Sequence, residues 1–346
     1  MMSGARTAGS PPGVDLVRLR SYLDEAAPRL VAGPLSAELI EGGRSNLTYV
    51  VGDGDKTWVL RRPPLGHVLP TAHNMAREHR VITALAPTPV PVPRPILLCP
   101  DESVLDAPFY LMEYVDGIVY RTQEQSAALG PDRARTLVES MLDVLADLHA
   151  VEPGDVGLAD FGRPDGFLER QLRRWRAQLD ASRSRPLPGI DELHEILGRT
   201  IPVSPPPAIV HGDYRLDNLI IGTGDRIAAV VDWEMTTIGD PLADLGLLLT
   251  YWDGLSAIPG SVSAAVGPDT AFPRGSELVA GYARRRSIDL GRLPWYVAFG
   301  CFKLAVITEG IHYRYVSGHT VGGGFEGMGE HTLTLVRLGH ASLQEE

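Results

Sequence analysis

The spacing of apolar positions changes part-way along the chain. Up to about residue 115, apolar side chains fall in short alternating runs, which are typical of half-buried β-strands. The predicted strands cover residues 37–40, 47–51, 57–61 and 109–114. Gly52-Asp53-Gly54-Asp55 predicts a hairpin between the second and third strands. One helix is predicted over residues 73–85, followed by a proline-rich extended connector.

After the predicted hinge Asp116-Gly117 the apolar spacing becomes helical. Leu137, Met141, Leu145 and Leu148 follow a helix period. The remaining predicted elements are helices over 167–179 and 191–197, short β segments at 208–210, 219–221 and 227–231, and helices from about residue 241. The pattern predicts an α+β, bilobal protein. It also predicts a disordered leader (1–14), a β-rich N-terminal lobe with one main helix (15–115), and a largely helical C-terminal lobe (116–346).

Composition narrows the classes of partner. The 346 residues carry a formal net charge of −11, which disfavours binding to nucleic acid. The acidity suits a cationic substrate, but solubility explains it equally well. The most apolar late stretch, residues 295–307, is interrupted by Lys303 and is too short to span a bilayer. Cys99 and Cys301 form no CxxC pair, and the first residues contain no apolar signal core. We therefore expect a cytoplasmic protein without a nucleic-acid or membrane partner.

One constellation of polar residues points to phosphoryl transfer. His211-Gly212-Asp213 is followed by Asn218 after five positions, and Asp232 comes after a predicted hairpin. Carboxylate and amide oxygens suit Mg²⁺, which needs few protein ligands because nucleotide phosphates and water supply the others. A remaining carboxylate can accept the proton of an attacking hydroxyl. Loop caps and a strand end are the structural alternative for these residues.

These motifs carry a family resemblance. HGDYRLDN together with VVDWE resembles the aminoglycoside phosphotransferase and choline kinase superfamily, which has a protein-kinase-like fold. The resemblance extends over about residues 41–315. It implies that Asp213 is the catalytic base, that Asn218 and Asp232 are magnesium ligands, and that ATP or GTP is the phosphoryl donor. Asp240 before Pro241 predicts a helix N-cap, and the resemblance implies that Asp240 or Asp244 braces the catalytic loop.

A glycine pair marks the predicted nucleotide loop. It lies in Glu41-Gly42-Gly43-Arg44-Ser45-Asn46, between two predicted strands. Glycine allows the backbone to approach phosphates, and we expect Gly43, Ser45 and Asn46 to contact the nucleotide. A plain β-turn is the alternative interpretation of this segment.

The third predicted strand lacks the lysine that is usual in the resembled fold. Its alternation after residue 59 makes Arg61 the candidate for the nucleotide phosphates and directs Arg62 to solvent. The resemblance to kinases implies that Glu78 is the ion-pair partner of Arg61, and an ordinary solvated glutamate of the helix is the alternative. The backbones of Glu113 and Val115 are expected to meet the adenine edge, by resemblance to the hinge.

The sequence indicates less about the acceptor of the phosphoryl group than about its donor. The segments SNLTYVV, MEYVDG and KLAVITEGIHYRY resemble bacterial phosphotransferases related to the kinase-like domain of acyl-CoA dehydrogenase family members ten and eleven. That resemblance implies transfer to a hydroxyl group of a small molecule, with hydroxyacyl thioesters as candidates. The alternatives are an aminoglycoside or macrolide phosphotransferase, an inactive nucleotide-binding regulator and, more weakly, a protein kinase. The candidate acceptor contacts are Trp252, Asp253, Glu309, His312, Tyr313 and Arg314.

Overall fold

The chain divides into two packed units. The computed structural model describes residues 10–40, 46–65, 73–256, 258, 265–320 and 325–344, so the predicted site residues Gly43 and Ser45 lie outside the described part. The first unit comprises Met1–Asp116 and Val231–Glu234, and the second comprises Gly117–Val230 and Met235–Glu346. The segment that contains Asp232 therefore packs with the N-terminal unit.

The first unit is built around one antiparallel sheet. Its elements are α1 (Leu16–Ala26), β1 (Ser36–Leu39), β2 (Leu47–Gly52), β3 (Thr57–Arg62), α2 (Met75–Leu85), β4 (Pro95–Cys99), α3 (Glu102–Leu105) and β5 (Phe109–Glu113). The strand order is β1-β2-β3-β5-β4. The hairpin of β2 and β3 pairs Gly52 with Thr57, as the turn sequence predicted.

Helix α1 was not among the predicted elements. Asp15 is its N-cap, and its carboxylate accepts the N–H groups of Val17 and Arg18. Leu19 and Leu23 on its inner face are fully buried in the core of the first unit. The helix thus covers one face of the sheet.

Residues 10–14 depart from the predicted disordered leader. Val14 is buried in the same core, and the hydroxyl of Tyr49 donates to the carbonyl of Pro12 at 2.5 Å. The chain is therefore anchored before α1 begins. Burial of Val14 and hydrogen bonds to the carbonyls of Pro12 and Gly13 hold this segment beside the packed helix.

The second unit is largely helical. Its elements are α4 (Gln123–Ala127), α5 (Pro131–Ala150), α6 (Phe167–Ser182), α7 (Ile190–Arg199), β6 (Ala208–Val210), β7 (Leu219–Ile221), β8 (Ile227–Val230), β9 (Thr237–Gly239), α8 (Pro241–Leu249), α9 (Gly275–Arg285), α10 (Leu293–Val316) and α11 (Met328–Ser342). A π-helical turn, Thr250–Leu255, continues α8. β6 pairs with β9 and β7 with β8, both antiparallel. No helix in the described ranges has the length and hydropathy of a membrane span.

Helices α8 and α10 make a close contact in this unit. A Cβ atom on Gly246 of α8 would lie 2.5 Å from the backbone carbon of Tyr296, and one on Gly300 of α10 would lie 2.5 Å from the Oγ1 atom of Thr250. Both distances are too short for a real contact, so glycine at these two positions allows the backbones to approach.

We expect Gly246→Ala to lower the free energy of unfolding by about 1–3 kcal/mol, because the added methyl group overpacks the α8–α10 contact. Gly198→Ala in α7 is the matched control, since a Cβ there would meet nothing within 4 Å. That control should be neutral or up to about 1 kcal/mol more stable, through helix propensity. Urea denaturation of both variants measures the difference. Equal stability of the two would contradict the close packing.

Candidate active site

One buried carboxylate holds the backbone of the loop that begins at His211. Asp244, in the first turn of α8, accepts the N–H groups of His211 and Gly212, each at 2.7 Å. The Nε2 atom of His149 lies 3.3 Å from the same carboxylate, and its Nδ1 atom lies 2.8 Å from the hydroxyl of Tyr282. Burial acts to raise the pKa of Asp244, but His149 and the loop amides outweigh it, so the pKa lies below its usual value. Asp244 is therefore a charged brace for the loop.

Asp240 has a different role from Asp244. Its carboxylate caps α8 by accepting the N–H of Leu242 at 2.9 Å, and the hydroxyl of Tyr296 donates to it at 2.7 Å. The sequence left open whether Asp240 or Asp244 braces the loop. In the structure Asp240 caps the helix and Asp244 braces the loop.

Gly212 is required by the shape of the loop. Its φ is +82°, and a Cβ there would lie 2.8 Å from the carbonyl oxygen of Met235. The carbonyl of Gly212 accepts a hydrogen bond of 2.6 Å from the ammonium of Lys303, which is 9% exposed and comes from α10. A buried cation thus lies directly beside the loop.

Donors on both oxygens fix the carboxylate of Asp213. The hydroxyl of Tyr251 donates to Oδ1 at 2.8 Å, and Asn218 Nδ2 donates to Oδ2 at 3.1 Å. Arg215 Nε lies 3.6 Å from Oδ2. Burial acts to raise the pKa of Asp213, but Arg215, Lys303 and the Tyr251 hydroxyl outweigh it, so the pKa lies below its usual value. Asp213 is therefore an oriented, ionised acceptor of hydrogen bonds.

The amide of Asn218 has a defined orientation. Its Nδ2 atom also donates to the carbonyl of Asp213 at 2.8 Å. Since both partners of Nδ2 are oxygens, the nitrogen has to face them and Oδ1 has to face the other way. Oδ1 is consequently the atom of Asn218 that could ligate a cation.

In the first unit, Arg61 pairs with carboxylates from two parts of the chain. Its Nε lies 2.8 Å from Glu78 Oε2, and its Nη2 lies 2.5 Å from Asp232 Oδ1 and 3.9 Å from Glu234 Oε2. Burial acts to lower the pKa of Arg61, but the neighbouring carboxylates outweigh it. The pKa therefore lies above its usual value, and the guanidinium stays charged. The predicted Arg61–Glu78 pair is present in the structure. One cation here faces three carboxylates.

Glu78 is held by neutral donors as well as by Arg61. Its carboxylate accepts the hydroxyl of Tyr110 at 3.1 Å and the amide of Asn46 at 3.0 Å. Asn46 also donates to Glu234 at 3.0 Å, and its Oδ1 lies 2.8 Å from His73 Nδ1. Asn46 is buried and uses both ends of its amide within the unit. This is a supporting position, and a contact between Asn46 and the nucleotide stays a prediction.

Asp232 adopts a backbone conformation that L-residues rarely take. Its φ is +68°, in the left-handed region. Such a conformation costs on the order of 1–3 kcal/mol and is often retained at functional sites. The side chain keeps 30% of its surface exposed while paired with Arg61. The strain favours a functional role for Asp232.

The expectation that Arg62 faces solvent was wrong. Arg62 is 3% exposed, and its guanidinium donates to the carbonyl of Leu105 at 2.8 Å and to that of Gly13. Alternation does direct Arg62 to the other face of β3 from Arg61. That face is covered by the end of α3 and by residues 10–14, which the sequence pattern had not placed there.

The predicted adenine contacts lie at the end of β5. Glu113 is the last residue of that strand, and its N–H donates to the carbonyl of Arg94 at 2.9 Å. Val115 follows two residues later. The contact of their backbones with adenine stays a prediction.

Three of the candidate acceptor contacts are internal. The indole of Trp252 and the carboxylate of Asp253 bond to backbone groups, and the buried Glu309 pairs with Arg185 at 3.0 Å. These polar atoms serve the fold of the second unit. The other three candidates, His312, Tyr313 and Arg314, lie near the C-terminal end of α10.

Comparison with known proteins decides the family. The sequence profile of the phosphotransferase enzyme family matches residues 36–287, which is most of the chain. The chain belongs to this family. The motif that predicted phosphoryl transfer, from His211 to Asp232, lies inside the matched range.

Two relatives of this chain confirm the resemblance to acyl-CoA dehydrogenase family members ten and eleven. Acyl-CoA dehydrogenase family member 11 from Rattus norvegicus is 34% identical over 313 residues, covering 88% of this chain and 40% of the relative. Family member 10 from Mus musculus is 33% identical over 329 residues, covering 92% of this chain and 30% of the relative. The chain thus spans less than half the length of each.

Solved structures confirm the predicted α+β, protein-kinase-like fold. A crystal structure of a protein from Ralstonia eutropha, assigned provisionally as an aminoglycoside phosphotransferase, superposes with a TM-score of 0.82 at 33% identity, covering 96% of this chain and 98% of that one. A thermostable mutant of aminoglycoside phosphotransferase APH(4)-Ia, in a ternary complex with AMP-PNP and hygromycin B, gives a TM-score of 0.58 at 13% identity, covering 92% and 98%. The second likeness concerns the fold alone.

The sequence prediction missed three residues that surround Asp213. Arg215 lies inside the HGDYRLDN motif, and its charge was a usable signal. Lys303 interrupts an apolar stretch, and a buried lysine needs a specific partner, which is the carbonyl of Gly212. Tyr251 offered no comparable signal, because its contact depends on the π-helical turn.

Arg61→Met should lower the free energy of unfolding by about 3–5 kcal/mol, because the buried carboxylate of Glu78 loses its charged partner. Burial already raises the pKa of Glu78. The uncompensated charge therefore costs most above that pKa, and protonation relieves the cost as pH falls. Urea denaturation at about pH 8 and about pH 5.5 should show the larger loss at the higher pH.

Arg94→Met is the matched control for this prediction. Arg94 is 71% exposed in its side chain and lies 3.8 Å from the carboxylate of Glu113. An exposed pair of this kind contributes about 0–1 kcal/mol. If Arg61→Met cost no more than this control at either pH, the cluster around Arg61 would not be the stabilising element inferred from its geometry.

Proposed function

We propose that this phosphotransferase moves the γ-phosphoryl group of ATP, with Mg²⁺, to a hydroxyl group of a small molecule. The observation that carries the proposal is the ionised carboxylate of Asp213, which Tyr251 and Asn218 hold in one orientation. A fixed, charged oxygen can orient a hydroxyl nucleophile and take its proton. Membership of the phosphotransferase enzyme family supports this use of the carboxylate.

In the proposed reaction Asp213 acts on the acceptor. Its carboxylate aligns the hydroxyl, and the hydroxyl oxygen forms a bond to the γ-phosphorus as the bond from that phosphorus to the β–γ bridging oxygen breaks. The hydroxyl proton passes to Asp213, and ADP leaves. Arg215 and Lys303 lower the pKa of Asp213, so the carboxylate is charged when it orients the hydroxyl.

The residues present fit a magnesium ion. In the described ranges no cluster of three or more His, Cys, Asp and Glu side chains is placed to hold a metal. Mg²⁺ bound to a nucleotide needs fewer protein ligands than that, and we propose Oδ1 of Asn218 and the carboxylate of Asp232. When bound, Mg²⁺ would neutralise charge on the phosphates.

The remaining predicted contacts belong to this proposal. Arg61 would contact the donor phosphates while paired with Glu78, and the backbones of Glu113 and Val115 would meet the base. Both cysteines, Cys99 and Cys301, are buried and free, which fits the proposed location in a reducing cytoplasm.

An antibiotic phosphotransferase is the second candidate. The Ralstonia eutropha protein, which is 33% identical, carries an aminoglycoside phosphotransferase assignment, and that similarity favours an aminoglycoside acceptor. A macrolide is the other acceptor considered. Protection of growth on drug plates distinguishes this candidate when an Asp213→Ala strain fails to grow on the same plates. If neither strain is protected, the antibiotic function is wrong.

A screen of hydroxylated metabolites with Mg²⁺ and ATP, read by mass spectrometry, should find a phosphorylated product. The panel should include hydroxyacyl thioesters, sugars, aminoglycosides and macrolides. Asp213→Ala should reduce the rate at least about 100-fold, because it removes the base, while nucleotide binding by calorimetry stays intact.

Asp191→Ala is the control for that loss. It removes a half-exposed carboxylate of the same unit that pairs with Arg176 and Arg183. This variant should keep the full rate. Transfer by Asp213→Ala at the wild-type rate would remove Asp213 as base, and ATP binding without any product or ADP release would favour the inactive regulator.

A further inference from the structure

The turn that follows α8 is π-helical, from Thr250 to Leu255. A π-helical turn contains an extra residue relative to an α-helix, so it changes the direction of the side chains that follow, and such turns recur at functional sites. Tyr251 is the second residue of this turn, and its hydroxyl lies 2.8 Å from Asp213 Oδ1. The irregularity and the contact with the proposed catalytic carboxylate therefore occur in the same turn.

The residues on both sides of Tyr251 anchor this turn. The Oγ1 atom of Thr250 donates to the carbonyl of Gly246 at 2.8 Å, and the indole N–H of Trp252 donates to a backbone carbonyl at 2.8 Å. The carboxylate of Asp253 accepts the N–H of Gly275 at 3.2 Å. Three polar side chains of four consecutive residues thus fix the backbone, and only Tyr251 directs its polar atom to the catalytic loop.

The hydroxyl of Tyr251 acts as a donor. Tyr251 is 7% exposed, and burial, reinforced by the charge of Asp213, raises its pKa well above the usual value. The phenol therefore keeps its proton. Its ring also lies under the guanidinium of Arg215, at 4.9 Å from the ring centroid. One side chain consequently contacts both the carboxylate and the nearest cation of the loop.

We propose that Tyr251 is a positioning residue for phosphoryl transfer, which holds Asp213 through its hydroxyl and Arg215 through its ring. The inference rests on the proposed function of Asp213. With Tyr251 on Oδ1 and Asn218 on Oδ2, the plane of the carboxylate is fixed before the acceptor arrives. Such orientation contributes to the rate of the transfer step and leaves the binding of nucleotide unchanged.

Substitutions can separate the two contacts of Tyr251. Tyr251→Phe keeps the ring and removes the hydroxyl, so kcat should fall about tenfold while KM for ATP stays unchanged. Tyr251→Leu also removes the ring beneath Arg215 and should lower kcat further. The assay follows ADP release from Mg²⁺ and ATP, with an acceptor from the metabolite screen or with water.

Tyr296→Phe is the matched control. It removes a buried tyrosine–aspartate hydrogen bond of 2.7 Å, to Asp240 at the start of α8. It therefore has a comparable effect on packing and stability but leaves Asp213 untouched. Its kcat should equal that of the wild type after correction for the folded fraction.

A double-mutant cycle tests whether Tyr251 acts through Asp213. In an Asp213→Asn background, Tyr251→Phe should cause no further loss of kcat, because the group that it positions has lost its charge. The same four proteins give a cycle in the free energy of unfolding that requires no activity. That cycle should also be non-additive if the hydrogen bond forms in solution.

The outcomes distinguish this inference from the proposed function. If Asp213→Asn has the wild-type rate, or if no protein releases ADP, the proposed function fails, and this inference fails with it. If Asp213→Asn is impaired while Tyr251→Phe keeps the wild-type kcat, or raises only KM, the positioning role alone is wrong. Full additivity in both cycles would also overturn it.

Discussion

The loop that begins at His211 depends on its hydrogen bonds to the carboxylate of Asp244. That carboxylate pairs with the backbone N–H groups of His211 and Gly212 and is itself held by His149. Two amides bound to one buried anion leave the loop little freedom, because separating them would leave the charge without compensation. The positive φ of Gly212 then directs Asp213 out of the braced segment. The position of Asp213, the candidate base, thus depends on Asp244, which takes no part in the proposed reaction.

A second constraint is the charge balance around Arg61. A guanidinium presents several N–H groups in a plane, so one arginine can meet Glu78 with Nε and Asp232 with Nη2. A lysine ammonium would lie close to one of these two carboxylates or at a position between them. Arginine at this position therefore joins α2 to the strained Asp232 within one unit. Arginine in place of the lysine that is usual in the resembled fold retains the positive charge and contacts a second carboxylate.

The sequence predicted the fold class and several site contacts, since both depend on local patterns. The alternation of β3 correctly selected Arg61, the resemblance to kinases supplied Glu78 as its partner, and the hairpin followed from its turn residues. The same alternation failed for Arg62, because a periodic pattern gives the face of a strand but not what covers that face. Helix α1 was also missed. Only Leu19 and Leu23 on it are buried, and two buried positions are too few to indicate a helical repeat.

The sequence by itself indicated the family and the fold class, and it singled out Asp213, Asn218 and Asp232 as candidate site residues, because they lie in two short motifs at a characteristic spacing. Only the tertiary structure decided how that motif is supported. Asp244, Lys303 and Tyr251 reach the loop from 31 to 90 positions beyond Asp213, counted along the chain. Their contacts arise from the packing of α8 and α10 and from a π-helical turn, and no local pattern encodes such distances. The motifs carry the residues proposed for the chemistry, and the packing of the helices sets the orientation of those residues.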